Sequence, residues 1–247
     1  HQLEIHEFVG GKLAVIEQEA CMGCGACEAA CRFGAIVPNE GDFRIDQFTI
    51  DAHACEGCAA CLYRCPAGAI RMIDRVAGRW FVSKTRFGPL VHAHLFAAQE
   101  NSGKLVTQVR QRAREIAQAE ERDYVIVDGP PGIGCPVIAA CSGVDLALLV
   151  TEPTVAGIHD LERMLSTTSH FRVPALVALN KYDLNPARAR EIEAFCESRV
   201  VPVVAHIPFD TAVTEAMVHG RTVTEHGDGQ ISREIELLWE VVVTRVR

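Results

Sequence analysis

The chain has 247 residues, 49% of them hydrophobic, and carries a formal net charge of −8 with a pI of about 5.7. That length holds one large domain or two smaller ones around a real core, and the acidic balance argues against a nucleic-acid surface. No apolar run approaches the roughly 18 residues of a membrane span, and no polybasic tail offers a lipid anchor.

In chain order the first feature is a pair of cysteine runs. Cys21, Cys24, Cys27 and Cys31 form one, and Cys55, Cys58, Cys61 and Cys65 the other. Both read C-x-x-C-x-x-C-x-x-x-C, and Pro66 follows the second. This is the spacing of a bacterial ferredoxin with two [4Fe-4S] clusters. Two-residue gaps let the backbone curl so that three thiolates face one small object. The fourth arrives from elsewhere, because in such ferredoxins the last cysteine of each run serves the other cluster. The expected ligand sets are Cys21, Cys24, Cys27 with Cys65, and Cys55, Cys58, Cys61 with Cys31. Zinc prefers two separated pairs of ligands. Disulfides need an oxidising compartment, and no signal peptide opens the sequence. Thiolate-ligated clusters therefore point to the reducing cytoplasm. Arg32 stands where the second run has Pro66, and its charge would raise the potential of a neighbouring cluster.

The cysteine segment repeats itself. Cys55 follows Cys21 by 34 residues, and Phe33-Gly34-Ala35-Ile36 answers Ala67-Gly68-Ala69-Ile70. Such a segment is built largely around its clusters, since so few apolar residues hardly fold alone. Short strands are expected at Phe43–Asp46 and Phe48–Asp51.

Beyond residue 75 the pattern changes. Arg79–Thr85 alternates as a strand does, and Lys104–Glu120 has helical spacing with Leu105, Val109, Ala113 and Ile116 on one stripe. Strands are expected at Tyr124–Val127, Leu146–Val150, Ala175–Leu179 and Pro202–Ile207. Helices are expected at Pro136–Cys141, Ile158–Thr168, Pro186–Ser198, Thr211–His219 and Ser232–Val246. The continuous apolar strands, with aromatics sparse at 6%, make this a doubly wound parallel α/β sheet. Ligands then sit beyond the carboxyl ends of the strands.

The unusual loops lie there. Val125–Asp128 followed by Gly129-Pro130-Pro131-Gly132 is an apolar strand ending in Asp and a rigid loop, like a Walker B strand and switch loop. Asp128 is the candidate for Mg²⁺ or its water, and the Gly132 amide the candidate for a γ-phosphate. Asn180-Lys181-Tyr182-Asp183 ends another strand and resembles a base-recognition loop, with the Asn180 amide able to pair with a purine edge. Pro208-Phe209-Asp210 falls after the next strand and would flank the base. Of the remaining thiols, Cys141 and Cys196 read as core. Cys135 reads as packing at a helix start, or more sharply as a thiol at a dimer seam. Lys104 faces either a phosphate or partner, or solvent. His92 and His94 read as structural, and Glu152 and Asp160 as surface charge.

The order of these pieces resembles the MinD/Mrp-type P-loop ATPases that carry an inserted ferredoxin domain, a family of the same broad class as the nitrogenase iron protein. The matching stretches are the two cysteine runs, Glu100–Val106, Asp128–Gly132 with Cys135-Pro136, Thr151–Thr154, Asn180-Lys181 and Ile207–Asp210. The resemblance implies a P-loop NTPase sheet with an α+β ferredoxin-like insert. Residues 1–17 would end the first α/β portion or form a linker, 18–73 would be the insert, and 74–247 the nucleotide-binding domain. It implies ATP or ADP with Mg²⁺ beside two [4Fe-4S] clusters. Asp128 would lie near the metal and Gly132 near the γ-phosphate, with Asn180, Lys181 and Pro208 at the adenine end. It also implies a redox partner protein and a homodimer or a heterodimer with a related ATPase, with no nucleic acid and no membrane.

One element of the family pattern is missing. The sequence holds no K-G-G-x-G-K-[ST] loop, the phosphate cradle of the family. Asn101-Ser102-Gly103-Lys104-Leu105 lacks its glycines and the Ser/Thr after Lys. Two readings follow: an amino-terminally shortened form of a longer protein, which is favoured, or a partner that has lost the loop. The functional expectation is an iron–sulfur, ATP-binding protein that couples nucleotide state to electron transfer. The alternative is an electron-transfer or cluster-carrier subunit without ATPase activity.

Overall fold

The computed structural model describes residues 1–39, 47–97, 99 and 103–246. The expected strand at Phe43–Asp46 and the Glu100–Ser102 part of the family motif lie outside these residues. The chain divides into two compact units, His1–Val127 and Asp128–Arg247.

In the first unit the elements are β1 (Gln2–Ile16), α1 (Ala26–Ala30), β2 (Ile36–Pro38), β3 (Phe48–Ile50), α2 (Ala60–Arg64), β4 (Ile70–Thr85), β5 (Gly88–Leu95) and α3 (Lys104–Ala119). β1 and β4 form a long antiparallel ribbon running from Gln2 opposite Ser83 to Ile16 opposite Ile70, and β5 adds to the far half of β4. There α3 covers one face. Phe8, Ala77 and Leu105 are buried together, with Trp80, Leu95 and Val109 packed against them. A hydrogen bond from Arg112 to Glu4, 2.5 Å long, and one from Lys104 Nζ to the Val9 carbonyl, 3.3 Å, tie α3 to β1. Of the two readings of Lys104, the structure therefore supplies a third, a clasp on the ribbon. His92 accepts or donates at Ser83 Oγ, 3.0 Å away, and stacks on Phe81, as a structural histidine does.

Residues 1–17 are not a linker: all but their ends make β1. The strand escapes a period-two reading because its register shifts around Phe8, Val9 and Gly11. Gly10 is needed at that irregularity, since a Cβ there would stand 2.5 Å from the Ala77 Cβ. The expected boundary between residues 73 and 74 falls inside β4, so the cluster-bearing segment and the ribbon are continuous.

The second unit contains α4 (Cys135–Cys141), β6 (Ala147–Thr151), α5 (Val155–His170), β7 (Ala175–Asn180), a 3-10 turn (Tyr182–Leu184), α6 (Pro186–Ser198), β8 (Val203–Ile207), α7 (Ala212–Val218), α8 (Val223–His226) and α9 (Gln230–Val246). Strands β6, β7 and β8 lie in that order, all parallel. Strand alternation sends Val177 and Leu179 to one face, where α5 and α6 supply Leu161, Leu165, Ile192 and Cys196. Ala178 points to the other, against Ala205 and the α9 residues Ile231 and Leu238. Helices on both faces of a parallel sheet give the doubly wound α/β arrangement.

Two expectations need correction. Tyr124–Val127 belongs to no strand among the described residues. A strand exists only through a neighbour that takes its hydrogen bonds, and Ile126 is 79% exposed. Cys135 is exposed rather than packed in the core. Val137, Ala140 and Cys141 form the buried stripe of α4, and a residue two places before Val137 lies on the opposite side of the helix.

Candidate functional site

The sequence repeat becomes a pseudo-twofold in the first unit. The Glu17 amide donates to the Ala69 carbonyl and the Asp51 amide to the Ala35 carbonyl, at 2.7 and 2.8 Å. Each of these four residues is the 34-residue counterpart of another. Likewise Ile16 pairs with Ile70 in the ribbon and Ile36 with Ile50 between β2 and β3. The cysteine loops start alike, with the Cys21 amide donating to the Glu17 carbonyl and the Cys55 amide to the Asp51 carbonyl.

Each loop needs backbone with positive φ, which turns successive residues toward one centre. Gly23 and Gly25 have φ of 69° and 70°, and their counterparts Gly57 and Ala59 have 64° and 63°. Glycine adopts that conformation without penalty, whereas Ala59 is a strained substitute. Gly57 is doubly constrained, because a Cβ there would sit 2.2 Å from the Lys12 carbonyl oxygen of β1.

These loops enclose two cavities. One is lined by Cys21, Cys24, Cys27 and Cys65, with Ile16, Phe48 and Ile70 behind them. The other is lined by Cys55, Cys58, Cys61 and Cys31, with Ala14, Ile36 and Ile50. Their volumes, open mouths included, are about 310 and 340 Å³. The fourth cysteine of each run thus lines the cavity of the other run. Within each cavity one thiol is exposed, Cys24 or Cys58; Cys27 is buried in the first, and Cys55 and Cys61 in the second. Burial pushes the Cys27 and Cys61 thiols above their ordinary range. The Ala69 amide donates to Cys65 Sγ at 3.3 Å, and the Arg75 guanidinium to the Cys55 carbonyl at 2.9 Å.

The donor set fits a cluster. Four sulfurs, with no oxygen or nitrogen side chain among the described lining residues except Glu56, match the thiolate ligation of a cubane. Among the described residues, no three His, Cys, Asp or Glu side chains converge as a single ion requires. Thiols spread around a cavity suit an object with several irons at its corners.

In the second unit Asn180, Lys181 and Pro208 fall at the carboxyl ends of β7 and β8, whereas Asp128 and Gly132 follow no strand among the described residues. Asn180 closes β7 opposite Ile207 of β8, so the loops starting at Lys181 and Pro208 lie side by side. They are braced three times. Asp183 Oδ1 accepts from the Phe209 amide at 2.8 Å, the Tyr182 ring meets the His206 ring edge-on at 5.5 Å, and Lys181 Nζ pairs with Glu152 after β6 at 2.7 Å. Sequence reasoning missed the Asp183 and Glu152 partners. N-K-x-D spacing marks the loop, but nothing local marks what its side chains reach. Behind the loop after β6, a Cβ on Gly157 would stand 2.2 Å from the Glu152 carbonyl, so only glycine lets α5 start there. Asp128 and Gly132 are exposed, Gly132 with φ of 90° and nothing within 4 Å of a Cβ position. Among the described residues, no hydrogen bond or ion pair joins them to Asn180 or Pro208.

Residues 20–69 match the model of the 4Fe-4S dicluster domain. An uncharacterised protein of Methanocaldococcus jannaschii is 33% identical over 89% of this chain and 71% of its own length. The septum site-determining protein MinD of Bacillus subtilis is 27% identical over 62% of this chain and 60% of its own. An iron–sulfur cluster carrier protein of Pyrococcus furiosus is 22% identical over 59% of this chain and 53% of its own. The chain thus spans little more than half the length of the latter two. No helix among the described residues is long and apolar enough to cross a membrane. With a dicluster domain on a ribbon, a parallel doubly wound sheet, and a relative sharing a third of its residues, the chain belongs to the MinD/Mrp-type P-loop ATPase family with an iron–sulfur domain.

Proposed function

We propose that this protein couples nucleotide state to electron transfer through two [4Fe-4S] clusters, one in each four-cysteine cavity. The observation that carries the reading is the crossed lining of those cavities, which supplies four thiols to each. Bound there, a cluster supplies a one-electron redox centre. The chain's own part is to hold it. Cys21, Cys24, Cys27 and Cys65 ligate one, and Cys55, Cys58, Cys61 and Cys31 the other. The Ala69 amide at Cys65 favours the more reduced state of the first. The exposed thiols Cys24 and Cys58 mark where a redox partner protein approaches.

In the same reading ATP or ADP with Mg²⁺ binds beyond the strand ends of the second unit. Asn180, Lys181 and Pro208 hold the adenine end, Asp128 stands by the Mg²⁺, and the open Gly132 backbone faces the γ-phosphate. Hydrolysis would require a Walker A phosphate cradle, and the reading expects the protein to act as a dimer in the cytoplasm. Nucleotide alters the clusters only by binding one conformation better than another. The test is a redox titration of the reconstituted intact protein, followed by electron paramagnetic resonance, with and without Mg-ATP. A midpoint or line shape that moves with nucleotide is the expected result. Identical curves would remove the coupling.

The exposure of Cys24 and Cys58 also favours a second reading, cluster delivery, which is the role named for the Pyrococcus furiosus relative. Incubation with an apo-ferredoxin separates the two: a carrier gives its clusters up, and an electron-transfer protein keeps them.

A further inference from the structure

The N-K-x-D loop poses a question that its spacing does not answer: what Asp183 is for. At a purine site a carboxylate can accept from two neighbouring N–H donors of guanine, while adenine offers only its amino group for such a contact. An Asp at this position could therefore read the base directly and select guanine. The structure gives the side chain a different partner. Asp183 Oδ1 accepts from the Phe209 amide at 2.8 Å, across 26 residues of sequence. The adjacent Tyr182 meets His206 of β8, whose Nε2 lies 2.6 Å from Glu193 Oε1 of α6. Two successive residues of the 3-10 turn thus reach the end of the neighbouring strand. The turn begins from Lys181 in the left-handed conformation, φ 52°, with its ammonium on Glu152.

From this we infer that Asp183 is a positioning residue: it fixes the loop after β8 against the loop after β7 and does not read the base. The inference rests on the nucleotide reading given above and assigns that site its geometry. Pro208 removes one backbone donor from the β8 loop, and the next amide, that of Phe209, is the one Asp183 takes. The bond holds Pro208 beside Asn180 and leaves the Phe209 ring half exposed at the rim, 52% accessible. The specificity that follows is set by Asn180 and the loop backbone, with Asp183 Oδ1 engaged by the Phe209 amide.

The experiment uses the intact protein and two variants, Asp183→Asn, which keeps an oxygen acceptor, and Asp183→Ala, which does not. Affinities are measured for Mg-ATP, Mg-GTP and Mg-xanthosine triphosphate, and exchange of the Phe209 amide is followed by NMR in the absence of nucleotide. The expected result is that Asp183→Asn matches the parent in affinity and base preference. Asp183→Ala should weaken every nucleotide by roughly tenfold, the size of one net hydrogen bond, and should speed Phe209 exchange. A gain in xanthosine preference in Asp183→Asn would show that Asp183 reads the base and would overturn the inference. So would a Phe209 amide that exchanges equally fast in parent and Asp183→Ala. If the parent binds none of the three nucleotides, the nucleotide reading fails, and Phe209 exchange still decides whether Asp183 holds the loop.

Discussion

Replacing Gly57 by Ala tests whether the ribbon shapes the second cluster loop. Two penalties arise at this position. With φ of 64°, an alanine pays about 1–2 kcal/mol for the left-handed conformation. Its Cβ would also stand 2.2 Å from the Lys12 carbonyl oxygen. That atom is backbone of β1, held in register against Asp74 of β4, so it cannot swing aside as a side chain would. Overpacking of this kind costs typically about 1–3 kcal/mol more. Gly68→Ala is the control, since its φ is 62° and a Cβ there meets nothing within 4 Å. Gly57→Ala should therefore destabilise the reconstituted protein by roughly 2–5 kcal/mol and Gly68→Ala by roughly 1–2. Denaturant midpoints measure the difference, and loss of visible cluster absorbance on dilution into chelator reports its effect on the site. Equal losses from the two variants would refute the close approach of the second loop to β1.

Further expectations follow from the same geometry. Gly25→Ala adds the left-handed penalty with only an ordinary 3.7 Å contact to Phe48, whereas Ala59→Gly removes it at the counterpart position; by denaturant unfolding the first should lose and the second gain about 1 kcal/mol. Glu4 is held below its ordinary value of 4.5, first by the hydrogen bond from Arg112 and then by that from His6. A lowered carboxylate contributes stability that is present above the ordinary value and lost as pH falls through the folded one. The stability difference between the parent and Glu4→Gln should thus be full at neutral pH and vanish in acid below 4.5; a difference that grows in acid would contradict the pairing. Asn180→Ala should weaken discrimination between ATP and other nucleotides in competition binding, and unchanged selectivity would remove Asn180 from the base site.

The cluster half of this protein is legible because its information is local. Cysteine spacing predicts the loop curl, and the two-cluster ferredoxin pattern it matches supplies the expected exchange of the fourth cysteine. The strands of the second unit are equally plain, since Leu176–Leu179 is buried on both faces and written in apolar residues throughout. β1 was hidden by Gly10-Gly11, which breaks the alternation where the ribbon is irregular. β5 was hidden as well, because Pro89, His92 and His94 dilute its apolar pattern and its partner β4 decides its course. Helices α1 and α2 span five residues each, too few for any helical period to show. Tyr124–Val127 failed in the opposite direction, as apolar character alone does not make a strand. The Asp183–Phe209 bond joins two loops through a backbone amide, and an amide leaves no trace in residue identity.

The central claim is that two [4Fe-4S] clusters are held by exchanged ligands. Native mass spectrometry of the anaerobically reconstituted protein, beside Cys65→Ser and Cys31→Ser, tests it most directly when each variant is combined with spectroscopy that distinguishes the clusters. The account predicts two four-iron clusters in the parent, perturbation of the Cys21–Cys27 cluster in Cys65→Ser, and perturbation of the Cys55–Cys61 cluster in Cys31→Ser. Damage confined to the cluster of the run that carries the mutated cysteine would contradict it.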